Sequence, residues 1–124
     1  MGGLGRFGFP AAARVRRGSE IRTILDRGKR KRTASLDVFF MPSPVARSRV
    51  GFVVPKHRHR IVDRNVVKRR LREIGRLELL PTLRRHGLTL DILIRARREA
   101  YQNDYDGLRD ELVRAVEGIC SDGS

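Results

Sequence analysis

The chain has one cysteine, no tryptophan, 6% aromatic residues and half as many acidic side chains as basic ones. Each shortage excludes something. Cys120 alone cannot form an internal disulfide, so a packed core has to hold the fold, and a reducing compartment is the natural reading. No apolar run approaches the ~20 residues of a membrane helix. The N-terminus carries one arginine and then small residues, which makes a poor signal peptide. A soluble cytoplasmic protein is expected. His57, His59 and His86 have no cysteine near them in sequence, so they are a weak metal signal.

The shortage of acid is uneven. Against 28 Lys and Arg stand 14 Asp and Glu, a net charge of +14 over 124 residues. Residues 1–76 hold 21 basic and 5 acidic side chains, whereas residues 77–124 hold 7 and 9. A surface so polarised attracts polyanions, of which nucleic acid is the commonest and anionic membrane the alternative. Only 4 of the cations are lysines. Arginine's planar fork suits phosphates and base edges. Arginine-rich codon usage is the plain explanation for the ratio, but it does not explain the segregation.

Length fits one domain, and 40% apolar residues suffice for a core. Residues 1–13 read as a flexible N-terminal arm, 14–120 as a single domain and 121–124 as a frayed C-terminus. Ser19 as N-cap, Ile21, Ile24 and Leu25 as a stripe, and Gly28 as C-cap predict a first helix. Lys29–Arg32 follows as a basic loop that either grips phosphates or is simply solvated. Residues 35–41 alternate as a strand, with Leu36, Val38 and Phe40 on one face and Asp37, Phe39 and Met41 on the other. Residues 49–54 form a second strand, antiparallel to the first, which Pro55 ends or confines to an edge. A long helix runs from about Asp63 to Leu80, with Pro81 stopping it. Residues 88–95 form a third strand. A last helix starts near Asn103 or Asp104, with Tyr105, Leu108, Leu112, Val116 and Ile119 as its stripe. The order helix-strand-strand-helix-strand-helix predicts an α+β sandwich in one domain, with helices covering a small sheet.

The long helix carries the functional signal. At ~100° per residue, counted from Arg64, a basic arc holds Lys68 at ~40°, Arg72 at ~80°, Asn65 at ~100°, Arg76 at ~120° and Arg69 at ~140°. Val66, Val67, Leu71, Ile74 and Leu77 fall between ~200° and ~340°. Arg70, at ~240°, has to snorkel or find a partner such as Glu73 or Glu78. Charged helix faces are usual on surfaces, but they normally mix signs. Like charges at i, i+4 repel by a few tenths of a kcal/mol per pair. A row of one sign therefore favours a polyanionic partner.

The run Asp63-Arg64-Asn65-Val66-Val67-Lys68-Arg69-Arg70-Leu71-Arg72-Glu73 closely resembles the signature helix of the ribonuclease P protein family, roughly R-N-R-x-K-R-x-x-R-E. Arg64, Asn65, Lys68, Arg69, Arg72 and Glu73 match it. The resemblance extends to Val50–Lys56 before the helix, to Arg14–Gly28, and to Leu90–Arg97 with its I-x-R-x-R ending. It covers about residues 14–118 in order. The sequence departs from the pattern at Val66, where the second arginine is usual, at Pro55 and His59, and at Ile21 and Leu25, where phenylalanines are common.

The resemblance implies a compact domain similar to the second domain of ribosomal protein S5, with a left-handed βαβ crossover. It implies the protein subunit of an endoribonuclease that removes the 5′ leader of precursor tRNA. In that family the catalytic centre belongs to the RNA subunit with its magnesium ions, and the protein binds no cofactor itself. Arg64, Asn65, Lys68, Arg69, Arg72 and Arg76 are then expected on the catalytic RNA. A cleft between the first helix and one sheet face is expected to take the leader, with Phe39 stacking on a base and Lys56, Arg14, Arg16 and Arg17 supplying charge. Core packing is the equally good alternative for Phe39. The implied partners are the catalytic RNA and precursor tRNA, with no membrane and no obligate protein partner. Three rivals stand beside this reading: another structured-RNA-binding or ribosomal protein without a role in cleavage, an RNA-free nuclease using His57 and His59, and a membrane-surface helix, against which the Arg70 position argues.

Overall fold

The computed structural model describes residues 11–56 and 58–121; the expected arm up to residue 10, His57 and residues 122–124 lie outside the described residues. Ala11–Ala13 form one 3-10 turn. Helix α1 spans Gly18–Arg27, strand β1 Lys29–Arg32, β2 Leu36–Pro42 and β3 Arg49–Val53. Helix α2 spans Ile61–Ile74, continues as a π-helical segment, Gly75–Leu79, and resumes as α3, Leu80–Arg85. Strand β4, Leu90–Ala96, a 3-10 turn, Arg98–Gln102, and helix α4, Tyr105–Ser121, complete it.

The four strands lie in the order β1-β2-β4-β3. β2 runs antiparallel to both β1 and β4, and β3 runs parallel to β4. The expected α+β sandwich holds, with two amendments. The run Lys29–Arg32 is not a loop but an edge strand whose backbone pairs with Phe40 to Asp37. And β3 does not pair with β2, because β4 lies between them and joins β3 through the α2–α3 crossover.

The alternation in β2 places Leu36, Val38 and Phe40 in the main core with Ile92 and Ile94, under α2, α3 and α4. The other sheet face carries a smaller core of Val15, Ile24, Phe39 and Leu93 beneath α1. Ion pairs flank it. Arg49 forks onto Asp91, Nε to Oδ1 at 3.0 Å and Nη2 to Oδ2 at 2.7 Å, and reaches Glu20 of α1 through Nη1 at 2.9 Å. At the other end Asp37 holds Arg95 at 3.1 Å and Arg97 at 3.0 Å, with Arg30 at 3.7 Å. Burial raises the Asp37 pKa, but the Arg95 hydrogen bond and the charges of Arg30, Arg97 and Arg95 outweigh it and leave the carboxyl below its ordinary value.

The C-cap of α1 is Gly28, as expected, but the N-cap differs. Ser19 lies inside α1, and the N-cap is Arg17 with no side-chain bond. Gly28 has φ −71°, so no left-handed turn requires it. It is needed for space: a Cβ there would stand 2.6 Å from the Ile24 carbonyl oxygen.

Pro81 does not stop the long helix. A proline ring inside a helix clashes with the carbonyl four residues back and leaves one bond unmade. The π segment widens the backbone just before it, with the Leu80 N–H donating to Gly75 O five residues back, and α3 takes Pro81 into its first turn. The extra residue turns the helix. An unbroken helix would put Leu77 at ~220°, with the core residues, and Leu79 at ~60°, among the cations. Instead Leu77 is 47% exposed and Leu79 fully buried. The buried series runs Val67, Leu71, Ile74, Leu79, Leu83, and its five-residue step from Ile74 to Leu79 marks the bulge.

Two outcomes follow. Leu79→Ala lowers unfolding free energy by about 2–5 kcal/mol, and Leu77→Ala changes it by less than about 0.5, both read by denaturant melts; the reverse ranking would mean the helix runs without the bulge. Because folding depresses the Asp37 pKa, its contribution is full above the unfolded value and fades as pH falls toward the folded one. The stability gap between wild type and Asp37→Asn therefore holds steady at neutral and mildly acidic pH and narrows as pH falls below about 4, and a gap independent of pH would contradict the pairing.

Candidate nucleic-acid interface

Helix α2 has its apolar flank locked under the sheet by Val67, Leu71 and Ile74. The opposite flank then has to face outward. Asn65, Arg69 and Arg72 are exposed and Lys68 half-exposed. Among the described residues no carboxylate forms an ion pair with Lys68, Arg69 or Arg72; the ion pairs of this helix are Arg60–Asp63 at 3.6 Å and Arg76–Glu73 at 2.9 Å.

Three arginines of the helix do other work. Arg64 is half-buried and donates through Nη2 to the Val54 carbonyl at 3.3 Å, tying the start of α2 to the end of the β3 segment. Its Nε is sealed from solvent without a partner among the described residues. Arg76, expected at the end of the basic arc, sits beyond the start of the π segment and is paired with Glu73. Arg70 uses neither glutamate suggested by the sequence: its Nη1 donates to the Asn103 carbonyl at 2.9 Å, at the entry to α4. Val66 is half-buried, as its place beside the apolar arc implies.

The loop into α2 is fixed by stacking. The Tyr101 hydroxyl donates to the Pro55 carbonyl at 2.9 Å, and the His59 ring lies on the Tyr101 ring with centroids 3.7 Å apart and planes 3° from parallel. His59 is thus held in a stack, while His86 lies 3.2 Å from Glu117 on α4. The third histidine, His57, is outside the described residues. Among the described residues no three His, Cys, Asp or Glu side chains are grouped to hold a metal ion.

The sequence reading put a cleft between α1 and one sheet face, with Phe39 in it. Around Phe39 the space between α1 and the sheet is filled: Phe39 is 5% exposed among Val15, Ile24 and Leu93. The Arg95 guanidinium sits 5.1 Å from the Phe39 ring centroid. Phe39 is therefore packed in the core in this structure, the alternative given for it beside base stacking. A cleft of about 190 Å³ opens between α1 and the β3 edge of the sheet, walled by Arg14, Val15 and Arg16, by Ile21, by Val50 and Phe52, and by Lys68 and Arg72.

It exists because residues 14–15 run alongside β3, with the Val15 N–H donating to Val50 O at 3.1 Å and Arg14 bridging Val50. Only glycine allows this approach at residue 51: a Cβ there would stand 2.8 Å from the Val15 carbonyl oxygen and 2.9 Å from its Cβ. A glycine inside a strand was the available signal. Of the other residues expected to supply charge, Arg14 and Arg16 line the cleft; Lys56 and Arg17 are exposed outside its lining. Phe52, half-buried in the wall, is the aromatic that sequence reasoning passed over.

Lys68 and Arg72 belong both to the outward row and to the cleft. Phosphate groups suit such a surface, since each guanidinium can give two parallel hydrogen bonds and no internal carboxylate competes. The Ribonuclease P family matches residues 9–120 of this chain. The ribonuclease P protein component of Pseudarthrobacter chlorophenolicus is 43% identical over 70 residues, 56% of this chain and 48% of that protein. The component of Picosynechococcus sp. is 32% identical over 110 residues, 88% of this chain and 91% of that protein. The fold is similar to that of the Staphylococcus aureus RNase P protein, with a TM-score of 0.71 at 23% identity over 86% of this chain and 94% of that one. With the helix motif, the interface and the length of the match in agreement, the chain belongs to the ribonuclease P protein family.

Proposed function

We propose that the α2 face of Asn65, Lys68, Arg69 and Arg72 anchors this protein subunit of ribonuclease P on the catalytic RNA, and that the adjoining cleft holds the 5′ leader of precursor tRNA. The observation that carries the reading is the row of three cations that form no ion pair among the described residues, two of which also wall the cleft. Arginine forks on Arg69 and Arg72 bridge phosphates, and Asn65 reads a backbone or base edge. In the cleft Arg14 and Arg16 meet the leader's phosphates, and Phe52 offers part of a ring to a base, where stacking is worth roughly 1–3 kcal/mol.

Cleavage belongs to the RNA subunit with its magnesium ions, and this chain's part is to bind, orient and neutralise. The cytoplasm, where precursor tRNA is made, is the setting that fits. Arg64 contributes by holding the strand-to-helix junction as well as by its charge.

Arg69→Ala and Lys68→Ala each weaken affinity for ribonuclease P RNA and lower the steepness of log affinity against log salt by about 1, with thermal stability unchanged. Both also reduce the stimulation of 5′ processing when the protein is added to the RNA at low magnesium. Wild-type affinity in both variants at moderate salt would remove α2 from the interface.

A further inference from the structure

We infer that a second cationic trough, on the far side of residues 14–17 from α2, carries an RNA phosphodiester backbone onward from the cleft. The inference rests on the interface proposed above and adds a surface to it. The trough begins as a hollow of about 300 Å³ whose walls include Arg14, Arg16, Arg17, Arg47 and Arg49, with Glu20 as the one carboxylate among its lining residues. Glu20 is spent on Arg49, whose remaining nitrogens are taken by buried Asp91. The other four arginines form no ion pair among the described residues. Four like charges around one concavity repel unless an anion sits among them.

The geometry points to a chain of phosphates rather than a single ion. Arg14 and Arg16 wall both the α2-side cleft and this hollow. Arg47 in turn walls both this hollow and the next, of about 400 Å³, where Ser48, Thr89 and Arg84 join it. Three concavities therefore stand in file, with cations at each junction. Arg47 is braced by a 2.9 Å bond from its Nε to the Ala12 carbonyl, which leaves its terminal nitrogens for a ligand. Helix α1 opens beside the first hollow at Arg17 and Glu20, and no side chain caps its first turn, so its free N–H groups add to the positive field. Neither hollow is lined by an aromatic ring, so bases have no stacking partner there. The contacts are to the backbone, and binding is indifferent to sequence.

The phosphodiester backbone has two sources, the distal part of a long leader and the catalytic RNA. The test uses the full-length protein with Arg47→Ala/Arg84→Ala together, Arg84→Ala alone because the Arg84 side chain makes no hydrogen bond or ion pair among the described residues, and Arg114→Ala, exposed on α4 and outside both hollows, as a control for net charge. Affinity is measured across salt concentrations for the catalytic RNA alone, and for the assembled holoenzyme with precursor tRNAs carrying short and long leaders. The double variant is expected to flatten the log–log salt dependence by about 2, and Arg84→Ala by about 1, with Arg114→Ala unchanged and all three folded. A loss confined to long leaders assigns the trough to the leader. A loss seen with the catalytic RNA alone assigns it to that RNA. Wild-type salt dependence in both trough variants, while Arg69→Ala still weakens binding, overturns the trough and leaves the α2 interface standing. Wild-type behaviour in Arg69→Ala as well would overturn both.

Discussion

Arg49 is the joint on which both cationic surfaces turn. Its guanidinium is buried between β4 and α1, forked onto Asp91 and extended to Glu20. A buried ion pair of this kind is weak as a source of net stability, because desolvating the charges offsets most of their attraction. Its effect here is geometric. It fixes where α1 begins, and so where Arg14, Arg16 and Arg17 stand as the chain enters that helix. The same bonds consume Glu20, the carboxylate in the lining beside those arginines. One interaction thus positions the cations and withdraws the acid that would have neutralised them.

Much of this was legible in the sequence where side-chain periodicity decides the structure. The alternation of β2 and the stripe of α4 appear as read, because each face of β2 packs on its own core and α4 buries one flank. The basic flank of α2 was legible as far as Ile74 for the same reason. The failures have physical causes. β1 is Lys-Arg-Lys-Arg and carries no apolar alternation; it is a strand because its backbone groups complete the β2 edge, and exposed cations on an edge discourage further pairing. The π segment changes the angular period itself, so a wheel drawn at a constant ~100° misplaces everything after it. Phe39 was undecided because alternation assigns a face but not what covers it, and the cover is α1.

The site was half legible for a related reason. Its α2 cations lie within one helix, and spacing brings them together. The cleft and the trough are assembled from segments that only the fold joins: residues 14–17, the start of β3 and, in the trough, Arg84 at the end of α3. The sequence signal for that assembly is Gly51. It is the residue at which the entering segment presses against β3, and its missing Cβ leaves room for Val15 to lie against the strand. Substituted strand glycines usually report lost packing; here the cost falls on the placement of Arg14 and Arg16.

The π segment also bounds the interface. If α2 had run on as a regular helix, Arg76 would have extended the outward row by another turn. The bulge begins at Gly75, and beyond it Arg76 is paired with Glu73 while Leu79 turns into the core. The row of unpaired cations therefore ends at Arg72. With each phosphate contributing roughly 0.7 to 0.9 to the log–log salt slope, the three unpaired cations of α2 account for a slope of about 2 to 3, not the steeper value that a full basic arc suggests. A steeper dependence has to come from elsewhere on the surface. Arg14, Arg16, Arg17 and Arg47, which form no ion pair among the described residues, stand along the segment that Arg49 holds in place, so on the reading proposed above the entering segment, and not the far end of the long helix, is the direction in which bound RNA continues.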